Sequence, residues 1–200
     1  MFGALELFNF NKIIFETIID PRTVASKILS LKLNDQTVVQ AGLFVSICST
    51  ILTYLFLTIL SGKISQGQLN TNPVLQELFT YITSIQPIFF AANQILQMLL
   101  FSVLITFGGK LFNGYGKFFD AFICVIWVEF ILLILKLIQI IVLPFSVLLA
   151  FGILVPGVIW SLWAFASMAA VVHGFKSTTL TFLGGLGLSV LVLTLLNILY

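Results

Sequence analysis

Two hundred residues of which 60% are hydrophobic and 8% charged, with a mean hydropathy of +1.18, cannot fold as a water-soluble globule, because soluble chains carry roughly 25% charged residues to coat their surface. A net charge of +2 with a single arginine offers no basic stripe to neutralise a phosphate backbone, which excludes nucleic acid as a partner. The composition specifies an integral membrane protein, all-α and polytopic.

Residues 1–37 read as a cytoplasmic N-terminal segment with amphipathic interfacial helices. Met1 to Asp20 carries Glu6, Glu16 and Asp20 and has no uninterrupted apolar stretch before a small-residue cleavage site, so no cleaved signal peptide is expected. Phe2, Leu5, Phe8, Ile13, Ile14, Phe15 and Ile18 form an irregular apolar face. Asp20-Pro21 is an N-cap followed by proline at the first helical position. After it, Val24, Ile28 and Leu31 recur at helical spacing opposite Arg22, Ser26 and Ser30. This pattern predicts a helix lying on the cytoplasmic leaflet, with Arg22 and Lys27 at the interface.

A helix needs about 20 apolar residues to cross a hydrocarbon core roughly 30 Å thick, and this ruler gives five crossings within residues 38–200. The first covers about 38–60. Asn72-Pro73 then repeats the cap signature, and Val74, Leu78, Ile82 and Ile85 continue it as an interfacial helix on the far side. The second span covers about 85–107, with Pro87 near its start, where a missing N–H costs least. From Phe118 to Val172 no polar loop intervenes, and one helix of that length would measure about 80 Å. The chain must fold back, and Pro144 is the natural break. The third and fourth spans are therefore about 118–143 and 145–172, with Gly152 and Pro156-Gly157 predicted to kink or shorten the latter. The fifth covers about 180–200.

Seven of the nine basic residues, Lys12, Arg22, Lys27, Lys32, Lys110, Lys117 and Lys176, fall on one side of this arrangement, and Lys63 alone on the other. Positive charge stays on the cytoplasmic side. The N-terminus is thus expected in the cytoplasm, the C-terminus opposite, and the host membrane is the inner membrane if the cell is bacterial.

Enzyme signatures are missing. Cys48 and Cys124 lie inside apolar runs, where thiols behave as small hydrophobes, and no His, Cys, Asp and Glu cluster is spaced for a metal. The one histidine, His173, ends the fourth span, where it is expected to cap the helix at the interface. Gly108-Gly109-Lys110 and Gly114-Tyr115-Gly116-Lys117 lack the spacing of a phosphate loop and read as loop glycines beside lysines. No catalytic residue, metal or cofactor is called for.

The third span nevertheless carries Glu129, Lys136 and Gln139. Ionisable groups inside a bilayer cost several kcal/mol and face protein or a wet cavity. Seven residues place Glu129 and Lys136 within about 20° of one face but about 10.5 Å apart along the axis, so each needs its own partner. Asn93, Gln94 and Gln97 in the second span are the candidates, Asn93 and Gln97 sharing a face by their i, i+4 spacing. The group reads as a seam that fixes helix packing, as a contact for a partner protein or lipid headgroup, or as a transport path. Ala166 and Ala170 in the fourth span, and Gly184 and Gly185 in the fifth, predict close helix packing.

The Asp20-Pro21-Arg22 opening of an amphipathic helix, the glycine-rich loop before Phe118-Phe119-Asp120-Ala121-Phe122, and the Val172-His173-Gly174-Phe175 turn before the last span resemble the Yip1 family, particularly its bacterial branch, from about Ile19 onward. The resemblance implies a five-span protein with a cytoplasmic N-terminus. Eukaryotic members are implicated in vesicle trafficking, in shaping membranes and in binding prenylated small GTPases. Their acidic region with an Asp-Leu-Tyr-Gly-Pro motif is absent from this sequence, and Gly114-Tyr115 is similar to their later Gly-Tyr pair. The expected function is that of a non-enzymatic membrane protein, organising membrane or serving as scaffold or accessory subunit among lipids and other integral membrane proteins. The alternative is a small transporter or channel with a polar path at Glu129 and Lys136.

Overall fold

The computed structural model describes residues 10–63, 80 and 86–187, and all regular structure among them is helical. Two short helices, α1 (Phe10–Ile19) and α2 (Pro21–Ser30), precede four long ones: α3 (Asp35–Lys63), α4 (Pro87–Leu111), α5 (Phe118–Val142) and α6 (Val147–His173). Residues 178–187 begin a further helix, α7. Among the described residues, four helices, α3 to α6, are long and apolar enough to cross a membrane. The expected fifth span is described only over its helical start, and the far-side helix expected at 72–85 and the apolar positions Phe2 to Phe8 lie outside the described residues, Thr80 apart.

The break at Pro144 is where the chain turns. α5 stops at Val142, residues 143–145 form the turn, and Ser146 caps α6 by accepting from the Leu149 amide at 3.2 Å. Lys63, at the end of α3, donates to the Pro144 carbonyl at 2.6 Å, tying the turn to its neighbour. Pro156 does not shorten the fourth span, because α6 runs unbroken from Val147 to His173 with the proline inside it. Gly157 instead serves packing: a Cβ there would overlap the Leu135 side chain of α5.

α5 is the axis of the bundle and packs against α2, α3, α4 and α6. Its Ala121, Cys124 and Val128 join Ala25 of α2 and Ala164, Met168 and Val172 of α6 in one apolar cluster. Its Phe122, Val125, Ile126 and Leu133 join Val38 and Val45 of α3 and Met98 of α4 in another. Lipid is as apolar as these side chains, so the gain in each cluster is close van der Waals fit rather than escape from water.

The N-terminal helices form a hairpin against this axis. Pro21, Val24, Ala25 and Ile28 of α2 are buried, so the apolar face expected on the leaflet is turned onto α5 and α6. Small Ala25 permits that close approach. Trp127 of α5 donates to Thr17 Oγ1 at 3.0 Å, and Trp160 of α6 donates to the Ile18 carbonyl at 3.1 Å. The exposed apolar side of the hairpin comes from α1 instead, through Phe15, Ile18 and Ile19.

Asp20 stands at the corner. Its carboxylate accepts from the Thr23 amide at 3.1 Å and the Thr23 hydroxyl at 2.6 Å, and these bonds to Thr23 hold its pKa below the ordinary carboxylate value. A depressed folded pKa means the cap is fully present at neutral pH and is lost as pH falls through the folded value. Asp20→Ala should weaken α2 by about 1 kcal/mol, read as reduced hydrogen-exchange protection at the Thr23 amide at neutral pH, whereas the wild-type cap should hold until the pH falls below the ordinary carboxylate value.

Candidate functional site

The polar groups of α5 are arranged as three separate ties. Glu129 Oε2 accepts from Gln94 Nε2 of α4 at 3.0 Å. Lys136 Nζ donates to Ser49 Oγ at 3.0 Å and Thr53 Oγ1 at 2.9 Å, both on α3. Gln139 Nε2 donates to the Ala150 carbonyl of α6 at 3.3 Å. Among the described residues α3, α4 and α6 are thus each held to the central helix by a different side chain, and Glu129 and Lys136 take separate partners. Ser49 and Thr53 were not singled out in the sequence, although their i, i+4 spacing puts both on one face.

Asn93 and Gln97 are not brought to this seam. Both are exposed, while Gln94 lies half-buried on the inner stripe that continues through buried Met98, Ser102 and Thr106. One residue rotates a helix by about 100°, so the amide next in sequence faces the carboxylate and the i, i+4 pair faces away. A further contact, Ser46 Oγ donating to the Ala91 carbonyl at 2.7 Å, joins α3 to α4.

A second cluster closes the end of the bundle that holds Lys110, Lys117 and Lys176. His173, expected as an interfacial cap, is 1% exposed. Its Nδ1 accepts from the Gly116 amide at 3.1 Å, and its Nε2 lies 2.9 Å from the Ile105 carbonyl. An amide only donates and a carbonyl only accepts, so the network assigns a neutral ring with its hydrogen on Nε2. Gly109, Gly114 and Gly116 surround the ring so tightly that a Cβ at any of them would overlap His173 or its neighbour Val172. The glycines that read as loop punctuation are therefore the cage that lets α4 and the α4–α5 connection wrap the imidazole. Gly174 ends α6 in the left-handed conformation, with φ +71°, and Phe175 stacks on the His173 ring at 5.5 Å.

Arg22 and Lys27 are held by protein. Arg22 donates to the Phe175 carbonyl, to the Lys176 carbonyl at 2.9 Å and to Thr178 Oγ1 at 3.4 Å, which fastens the hairpin to the connection after α6. Lys27 pairs with Glu16 at 2.5 Å across the hairpin.

The small-residue positions divide. Ala170 is fully buried, whereas Ala166 lines an apolar groove of about 720 Å³ between α4, α6 and α7, together with Phe101, Leu104 and Leu180. A Cβ at Gly184 would make an ordinary contact with Phe112, but one at Gly185 would meet nothing within 4 Å. Gly185 also lines that groove, on the α7 side. Among the described residues no group of three or more His, Cys, Asp or Glu could hold a metal ion.

Two outcomes follow for melting in detergent. Gln94→Leu strands a carboxylate at mid-span and should cost about 2 kcal/mol, while the double variant Gln94→Leu/Glu129→Leu, which removes both partners, should recover most of that loss. Gly109→Ala should lower the melting temperature more than any alanine placed at Gly185, since only the former drives a methyl group into a buried ring.

The model of the Yip1 domain matches residues 15–199. No curated protein and no solved structure matches. The matched stretch opens within α1 and takes in the central polar ties, the glycine cage and the Arg22 clamp, and over that length the chain belongs to the Yip1 family as a multi-pass membrane protein.

Proposed function

We propose that this protein is a non-catalytic organiser of its membrane, acting as a scaffold or accessory subunit whose partners are lipids and other integral membrane proteins. The observation that carries this is the engagement of the two ionisable groups in the interior of α5: Glu129 and Lys136 are each bonded to side chains of a neighbouring helix. A polar group so held acts as a fastener of helices. The outward surfaces of the spans, with Phe44, Ile47 and Ile51 on α3 and Leu148, Leu149 and Val155 on α6, are what partners and lipids would meet. In this proposal the end bearing Lys110, Lys117 and Lys176 faces the cytoplasm, since short basic flanks are retained there.

Transport is the second proposal, favoured by the placement of two ionisable residues on one spanning helix. The two separate in one experiment. Reconstituted into liposomes, the scaffold should pass neither protons nor small solutes above the protein-free leak, and its extraction in native nanodiscs should retain an integral membrane partner in fixed stoichiometry. Proton or solute flux that is abolished by Glu129→Gln would replace the scaffold by a transporter.

A further inference from the structure

The outward face of α4 carries a pattern that the described helices of the bundle do not use. Phe89, Asn93, Leu96, Leu100, Val103 and Phe107 succeed one another at spacings of four, three, four, three and four residues, and all six are exposed. This is the alternation of core positions in a two-stranded coiled coil, with Asn93, Leu100 and Phe107 at a and the other three at d. The seam rises about 27 Å, close to the thickness of a hydrocarbon core.

Asn93 sits about 9 Å along the helix from Pro87 and Gln97, on the flank of the seam, about 15 Å. Neither side chain finds a hydrogen-bond partner among the described residues. Acyl chains offer neither donor nor acceptor, so a carboxamide left against lipid keeps its full desolvation cost. A carboxamide is, however, complementary to itself, since it both donates and accepts. Copies of one chain insert in one orientation, and two such copies facing each other are related by a two-fold axis along the membrane normal, which closes the assembly at two. In a parallel, in-register pair a meets a, and Asn93 meets Asn93 of the second copy. A single asparagine at a is also the device that fixes register and strand number in such pairs.

We propose that the chain forms a parallel homodimer through the outward face of α4, with Leu96, Leu100 and Val103 as its packed centre and Asn93 and Gln97 supplying the hydrogen bonds across it. This goes beyond the scaffold role and does not depend on it.

Disulfide crosslinking of the full chain in its native membrane tests the pairing. In the otherwise wild-type protein, with Cys48 half-buried and Cys124 buried, Leu100→Cys should give a product of twice the monomer mass under mild oxidation. Leu149→Cys, outward on α6, and the wild type should not. Adding Asn93→Leu and Gln97→Leu to Leu100→Cys should lower the product about threefold to tenfold, the range expected for losing interhelical hydrogen bonds. The proposal fails if Leu100→Cys gives no dimer, or no more than Leu149→Cys. It fails equally if the yield is indifferent to Asn93 and Gln97, or if the product is a crosslink to a different protein.

Discussion

Inside hydrocarbon a charge or an amide has no solvent to fall back on, and the fold is arranged around α5, where Glu129, Lys136 and Gln139 are each such a group. α5 could pack its apolar surface against lipid nearly as well as against protein, so apolar fit alone would leave its neighbours interchangeable. Glu129, Lys136 and Gln139 remove that freedom, because each is answered by a different helix. The order of helices around the axis is therefore written in hydrogen bonds, and the apolar clusters on the two sides of α5 fill in behind them. The same economy explains why a single lost partner is worse than a lost pair: the stranded group has nowhere else to turn.

The end of the bundle with the basic loops is built on a different principle, steric rather than electrostatic. Three glycines make room for one imidazole, and the imidazole in turn bonds a loop amide and a helix carbonyl. α4, the α4–α5 connection and the end of α6 thereby meet at one buried side chain. Arg22 adds the N-terminal hairpin to that junction through the carbonyls just beyond it. Two far-separated parts of the sequence thus share a single rigid corner.

Much of the architecture was legible in the sequence because hydrophobic length and proline position are direct consequences of bilayer thickness and backbone chemistry. The start at Phe118, the turn at Pro144 and the Asp20-Pro21 cap follow from those alone. The site was legible only in part. Glu129, Lys136 and Gln139 announce themselves as polar residues in an apolar run, but their partners depend on helix rotation: periodicity within α4 makes Asn93 with Gln97 the obvious pair, and only packing selects Gln94. Ser49 and Thr53 are ordinary in a membrane helix until an ammonium is placed beside them. The glycines around His173 gave no sign of their purpose either, since the ring they enclose is 57 residues distant from Gly116. For α2, an amphipathic face cannot say whether it meets lipid or protein, because both are apolar.

The reach of Arg22 also bears on the order of assembly. Its acceptor at Phe175 lies 153 residues downstream, and the Trp160 donor to Ile18 lies 142 residues downstream. At a synthesis rate of about 5 to 20 residues per second, the hairpin is synthesised roughly 7 to 30 seconds before those groups. During that interval α1 and α2 have neither their clamp nor most of the wall they will dock on, so this hairpin, made before α5 and α6, is seated only after them. Biogenesis must therefore hold an unsatisfied segment until α6 and the connection after it arrive.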